Sequence, residues 1–181
     1  MQKIVTFNKD NEVASVIENV ISVTPYLEYV EYVSEDGIGK LEGFENGYII
    51  VDQSIDPSTI PYEEVIEFAK QLKIKELSEE CNAKILEGFE YNGDYFDFDY
   101  KDQTNFYQQL ALLLVDPTIE EVSWKTRNNG IKTFTRDEFI AICKAAEAHK
   151  KSKMTKYWFL RDQIINTQYD SISELKSIHF E

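Results

Sequence analysis

Residues 84–100 read Lys84-Ile85-Leu86-Glu87-Gly88-Phe89-Glu90-Tyr91-Asn92-Gly93-Asp94-Tyr95-Phe96-Asp97-Phe98-Asp99-Tyr100. Asn-Gly between two alternating runs is the strongest short-range signal for a β-hairpin, because both central residues of a type I′ turn need positive φ. On the second strand Phe96, Phe98 and Tyr100 share one face, and Asp97 and Asp99 the other. Asp102 is then placed to cap a helix from Gln103 to about Leu114, with Pro117 past its end. A hairpin leading into a capped helix sets an α+β reading for the chain on either side.

Downstream, Val122-Ser123-Trp124-Lys125-Thr126 and Ile131-Lys132-Thr133-Phe134 flank Asn128-Asn129-Gly130 and predict a second hairpin. Thr135-Arg136-Asp137-Glu138 is a capping box that opens a long helix to about Thr167. Its apolar stripe is Phe139, Ile142, Cys143, Ala146, Tyr157, Leu160 and Ile164. Ser171-Ile172-Ser173-Glu174 is a second capping box, opening a short helix over 172–178.

Upstream, Pro57 and Pro61 punctuate a linker, and Pro61 suits the first turn of a helix over 61–80. Val65, Phe68, Ala69, Leu72 and Cys81 form its apolar face. Glu76, Glu79 and Glu80 crowd its end, where the helix dipole disfavours them. The helix therefore stops near Cys81 or has a basic neighbour. Before residue 55 the pattern is β: Lys3–Phe7 and Val13–Ile17 around the turn Asn8–Asn11, an ambiguous run Tyr26–Val33 read as strand, glycine-marked loops over 37–47, and a buried strand Tyr48–Asp52. The predicted organisation is a β-rich N-terminal module (1–56), a connecting helix (57–81) and an α+β C-terminal domain (82–181).

Composition bounds the function. The chain has 181 residues, 33 Asp+Glu against 19 Lys+Arg, and a net charge of −14. Nucleic acid and anionic membrane would be repelled, so neither is an expected partner. The longest apolar run, Leu110–Val115, is far short of the roughly 20 residues of a membrane span. The first residues lack the pattern of a signal peptide. A soluble chain made in a cytoplasm is expected. Charge is also segregated: residues 1–60 carry net −8, 61–123 net −10, and 124–181 net +4. Such asymmetry suits head-to-tail contacts in an assembly as well as plain solvated faces.

The order of these elements carries a resemblance. Residues from about 72 to 181 resemble a domain family of unknown function found in tail and tail-fibre-region proteins of bacteriophages and prophages. The matching features are Gly88-Phe89, Tyr91-Asn92-Gly93, Asp102-Gln103, Trp124-Lys125, Asn129-Gly130, Phe134-Thr135, Phe139, Ile164 and the Ser171…Glu174-Leu175…Ile178 ending. The resemblance implies a virion or assembly context and brings no catalytic residues with it.

No arrangement of residues argues for chemistry. Cys81 and Cys143 show no zinc-site spacing and read as buried thiols. His149 and His179 read as surface residues. Asp94, Asp97, Asp99 and Asp102 depart from the EF-hand pattern; Asp97 and Asp99 on one strand face leave a loose cation site open, beside a solvated face. No phosphate-binding glycine loop is present, and Gly37-Ile38-Gly39 reads as a turn. The expectation is no enzyme activity, no catalytic residue, no cofactor and no metal.

The expected function is a structural or adaptor component of a phage tail, baseplate or tail-fibre attachment region, in the virion tail and acting through other tail or baseplate proteins. The alternatives are a receptor-binding module for cell-surface glycans, using exposed Tyr26, Tyr29 and Tyr32, and a tail-fibre assembly factor. Self-association or docking in a larger assembly is expected through the long helix. At 136–167 it would be roughly 48 Å long, against a radius of gyration of about 16 Å for a compact domain of this size. Candidate interface residues are Lys150, Lys153, Met154, Tyr157, Trp158 and Arg161, since Trp, Tyr and Arg are favoured interface anchors. The intramolecular alternative is a break near Lys150–Lys153.

Overall fold

Alternating β patterns and glycine turns build the N-terminal sheet. In the computed structural model, which describes residues 1–180, β1 (Gln2–Phe7), β2 (Val13–Pro25), β3 (Tyr29–Ser34), β4 (Gly37–Glu42) and β5 (Tyr48–Asp52) form one sheet in the order β4-β3-β2-β1-β5. Every neighbouring pair is antiparallel. The Asn8 side chain accepts from the N–H groups of Asp10 (2.9 Å) and Glu12 (3.0 Å), the local turn that its position predicts. Residues 26–28 form a turn rather than strand, and the Tyr48 hydroxyl ties it down by donating to the Tyr26 carbonyl at 2.7 Å.

The strand β4 corrects the reading of residues 37–42 as loop. Its glycines do not break the sheet; they fit it. Gly39 pairs with Tyr32, and a Cβ at Gly39 would collide with the hydroxyl end of the Tyr32 ring. The missing side chain is what lets the aromatic ring lie across the neighbouring strand.

One compact unit comprises Met1–Ser78 and the chain from Leu160 onward. In it, Ile4, Val5, Phe7, Val20, Val30 and Ile49 are buried with Val65, Ile66, Ala69 and Leu72 of α1 (Tyr62–Leu86). A 3-10 turn at Pro57–Thr59 precedes this helix, capped by Asp56. Near the C-terminus, α4 (Ile172–Lys176) buries Ile172 and Leu175, and the Glu174 carboxylate accepts from the Ser171 N–H at 3.2 Å. It ends two residues before the expected 178.

α1 does not stop near Cys81. It runs to Leu86, because Leu77, Cys81 and Ile85 continue one buried stripe at four-residue spacing. The glutamates therefore lie inside the helix rather than at its end, and Lys73 pairs with Glu76 at 3.2 Å. Gly88, at φ +95°, turns the chain out of the helix, as a glycine just past a C-terminus does.

The second compact unit is Glu79–Phe159. It holds β6 (Phe89–Tyr91), β7 (Asp94–Phe96), α2 (Tyr100–Val115), β8 (Glu121–Thr126) and β9 (Gly130–Thr135), with the first part of α3 (Arg136–Asn166). Asn92 and Gly93, at φ 51° and 82°, form the expected hairpin turn. The strand ends at Phe96, however, and Asp99 is not on it. Asp99 is the N-cap of α2, which begins three residues before the expected start. Asp99 accepts from the Asp102 N–H at 2.8 Å and Asp102 from the Asp99 N–H at 3.2 Å, a capping box made of two aspartates. The core of this unit is aromatic. Phe106 lies 4.5 Å from Trp124, 5.8 Å from Phe139 and 5.9 Å from Phe89, measured between ring centroids. Thr135 and Glu138 close the predicted capping box, and α3 is unbroken for 31 residues, with no break at Lys150–Lys153.

The molecule is thus α+β. Among the described residues no helix is long and apolar enough to cross a membrane.

Candidate functional site

The candidate surface is the later part of α3, and its side chains divide by what they touch. Lys150 is half-buried and donates to the Gln103 side chain at 2.9 Å, so it braces α2. Lys153 is half-buried, and its charge acts on the Cys81 thiol against the burial that raises that thiol's pKa. Met154 and Tyr157 are half-buried. Trp158 is 47% exposed, its neighbour Phe159 69% exposed, and Arg161 is exposed. The outward surface is therefore led by Trp158 and Phe159, with less of the basic run free than its spacing suggests.

His149 is half-buried rather than fully exposed. Its Nε2 sits 3.1 Å from the Ile85 carbonyl, and its ring lies 6.0 Å from both Phe89 and Phe98. It lies at the edge of the aromatic core. His179 is exposed, as expected. Cys143 is buried, and burial pushes its thiol up to about 11. Such a thiol is a poor nucleophile at neutral pH.

The acidic cluster resolves into separate structural contacts. Asp94 accepts from Lys132 at 2.6 Å and from Asn129 at 2.8 Å. Asp97 accepts from Arg127 Nε at 2.6 Å, and Asp99 and Asp102 cap α2. Among the described residues no group of three or more His, Cys, Asp or Glu side chains is placed to hold a metal ion. Arg127 also donates to the Glu87 carbonyl at 2.9 Å, and Asn128 joins the two hairpins by accepting from the Tyr95 N–H at 2.8 Å. These residues lock β6–β7 onto the β8–β9 turn.

The hydrogen bonds from Lys132 and Asn129 hold the Asp94 carboxyl below its ordinary range. A depressed carboxyl contributes stability that is present above the unfolded pKa of about 3.9 and is lost as pH falls through the lower folded value. The stability gap between wild type and Asp94→Asn should thus hold near neutrality and close below about pH 4. Urea midpoints of both proteins measured down the pH scale check this; a gap that widens in acid would refute it.

A groove of about 480 Å³ runs beside α2 and β8, lined by Asp102, Asn105, Gln108, Gln109, Ser123 and Trp124 among others. The C-terminal carbonyls of α2 end on Arg136, whose guanidinium donates to the carbonyls of Leu113, Asp116 (3.0 Å) and Ile119 (3.3 Å). The tyrosines expected on a glycan surface are half-buried. Tyr26 and Tyr29 stack on each other at 4.3 Å, with Lys75 over the first and Lys40 over the second.

Residues 68–176 match the model of a family described as a domain of unknown function (DUF4376). The match covers more than half of the chain, and the protein belongs to that family. No curated protein and no solved structure matches the chain. The matched segment takes in α1 from Phe68 onward, both hairpins, α2, α3 and α4.

Proposed function

We propose that this protein is a structural or adaptor component of a bacteriophage tail, baseplate or tail-fibre attachment region, and that it works by protein–protein contact rather than catalysis. The observation that carries contact is the Trp158–Phe159 pair, two large aromatic side chains turned to solvent on a long helix. Solvent-facing aromatics of this size are the residues that dominate interface energies once covered. The tail assignment rests on the resemblance of residues 72–181 to tail-region proteins. The mildly basic C-terminal segment and the acidic remainder suit contact with neighbours of opposite charge. On this reading the partners are other tail proteins, with no nucleic acid or membrane among them, and the protein resides in the virion tail after synthesis in the host cytoplasm.

Mass spectrometry of purified particles tests the assignment. The protein should be present in stoichiometric amount, and Trp158→Ala should reduce its incorporation severalfold while leaving the fold intact, since Trp158 is not in the core. Absence from mature particles would transfer the protein to the assembly-factor reading. Incorporation unchanged by Trp158→Ala together with Phe159→Ala would remove the α3 surface from the interface.

The groove beside Trp124 favours a second reading, a module for cell-surface glycans, because carboxamides and an indole edge are groups that hold sugar hydroxyls and ring faces. Binding of host cell-wall fragments that Gln109→Ala weakens would support it.

A further inference from the structure

The outer face of α2 has no task in anything described above. Phe106 and Leu113 point into the core. Round the helix from them, on a flank turned to solvent, Tyr100, Thr104, Tyr107, Ala111 and Leu114 follow one another at alternating spacings of four and three residues. All five are exposed, Tyr107 at 76% and Leu114 at 70%. That is the seam of a left-handed helix pair, facing solvent. The whole stretch Gln103–Val115 carries no charged residue, in a chain of net charge −14. Two copies of so acidic a chain repel each other over most approaches, and this helix offers a face without that cost.

The geometry points to a second copy of this chain as the occupant: we propose that two protomers pair through α2, antiparallel, with the seam of one helix packed on the seam of the other. Side-chain volume chooses the direction. The large residues Tyr100, Tyr107 and Leu114 occupy one position of the repeat and the small Thr104 and Ala111 the other. An antiparallel pair sets each position against the other kind, so Tyr107 meets Ala111 of the second copy and Leu114 meets Thr104. A parallel pair sets Ala on Ala and Tyr on Tyr, leaving voids in one layer and crowding in the next. At about 24 Å the seam is short, which fits a dimer that forms at tens to hundreds of micromolar alone and is held more firmly within an assembly.

The proposal goes beyond the tail reading, and its surface is separate from Trp158 and Phe159; a monomer would leave that reading standing. Sedimentation velocity of the full chain over this concentration range is the test. Wild type should shift from monomer to dimer, and Ala111→Arg, at an exposed position, should stay monomeric with an unchanged circular dichroism spectrum. Thr104→Glu gives the same test at a second exposed site, and Trp158→Ala should leave the dimer intact. A wild type that remains monomeric throughout overturns the proposal, as does a dimer that survives both α2 variants. Direction is read by mixing Tyr107→Cys with Ala111→Cys under mild oxidation. Cross-links between the two variants support the antiparallel pair, and cross-links only within each variant overturn it. The native Cys81 and Cys143 are buried and stay out of this readout.

Discussion

Phe106→Ala should lower the stability of the protein by about 4 kcal/mol, the middle of the range for deleting a buried phenyl ring. Phe106 is 4% exposed, and its ring contacts those of Phe89, Phe96, Phe98, Trp124 and Phe139. Those neighbours come from three strands, the turn after β7 and a second helix, so no single one can move in to fill the space. Ring–ring contacts add to the loss, at about 0.5–1.5 kcal/mol for a well-placed pair. Phe106→Leu keeps most of the volume and should cost no more than about 1.5 kcal/mol. Urea denaturation checks both. In a Trp158→Phe background Trp124 is the sole reporter, and its emission should move to longer wavelength in Phe106→Ala. A loss below about 1 kcal/mol would mean that the aromatic cluster is far looser than its geometry.

Gly88→Ala should cost about 3 kcal/mol, from two sources. Gly88 sits at φ +95°, where an L side chain is strained, and its Cβ would land on the Phe96 carbonyl oxygen. Backbone cannot step aside there, because Phe89 pairs with Phe96 and the adjacent Glu87 carbonyl accepts from Arg127. Gly93 is the internal control. It has φ +82°, and a Cβ there would meet nothing within 4 Å, so Gly93→Ala should lose only the φ contribution, about 1 kcal/mol. Equal losses for the two variants in urea would show that the close approach at Gly88 is relieved at no cost.

The hairpin around Asn92-Gly93 shows why part of this fold is readable. A type I′ turn is decided by two residues that tolerate positive φ, and both are adjacent in sequence. The same holds for the Thr135–Glu138 box, whose two partners are three residues apart. The differences between expectation and structure share another cause. Gly37-Ile38-Gly39 carries a turn composition, and only Tyr32 on the neighbouring strand makes glycine the residue that fits there. Asp99 reads as an outward strand residue by alternation, and as a cap only once the chain has turned at Phe96. His149 lies in a basic run, and its place against Phe89 and Phe98 depends on a core assembled from residues 50 or more positions away. On α3, spacing marks six residues as one surface, while packing turns Lys150 inward to Gln103 and leaves Trp158 outward.

By itself the sequence determined the α+β class, the hairpin turns, the capped starts of α3 and α4, the apolar stripes of the helices and the segregation of charge. Each of these is set within a few residues, by φ preferences, side-chain caps and a period of two or 3.6. Only the tertiary structure decided that Arg136 closes the end of α2, that Arg127 and Asn128 bind one hairpin to the other, and which faces of α2 and α3 meet water. Those contacts join residues 17 to 40 positions apart. Their partners are chosen by which buried surfaces pack together, and a polar side chain takes its partner from whatever backbone the packed core brings within reach.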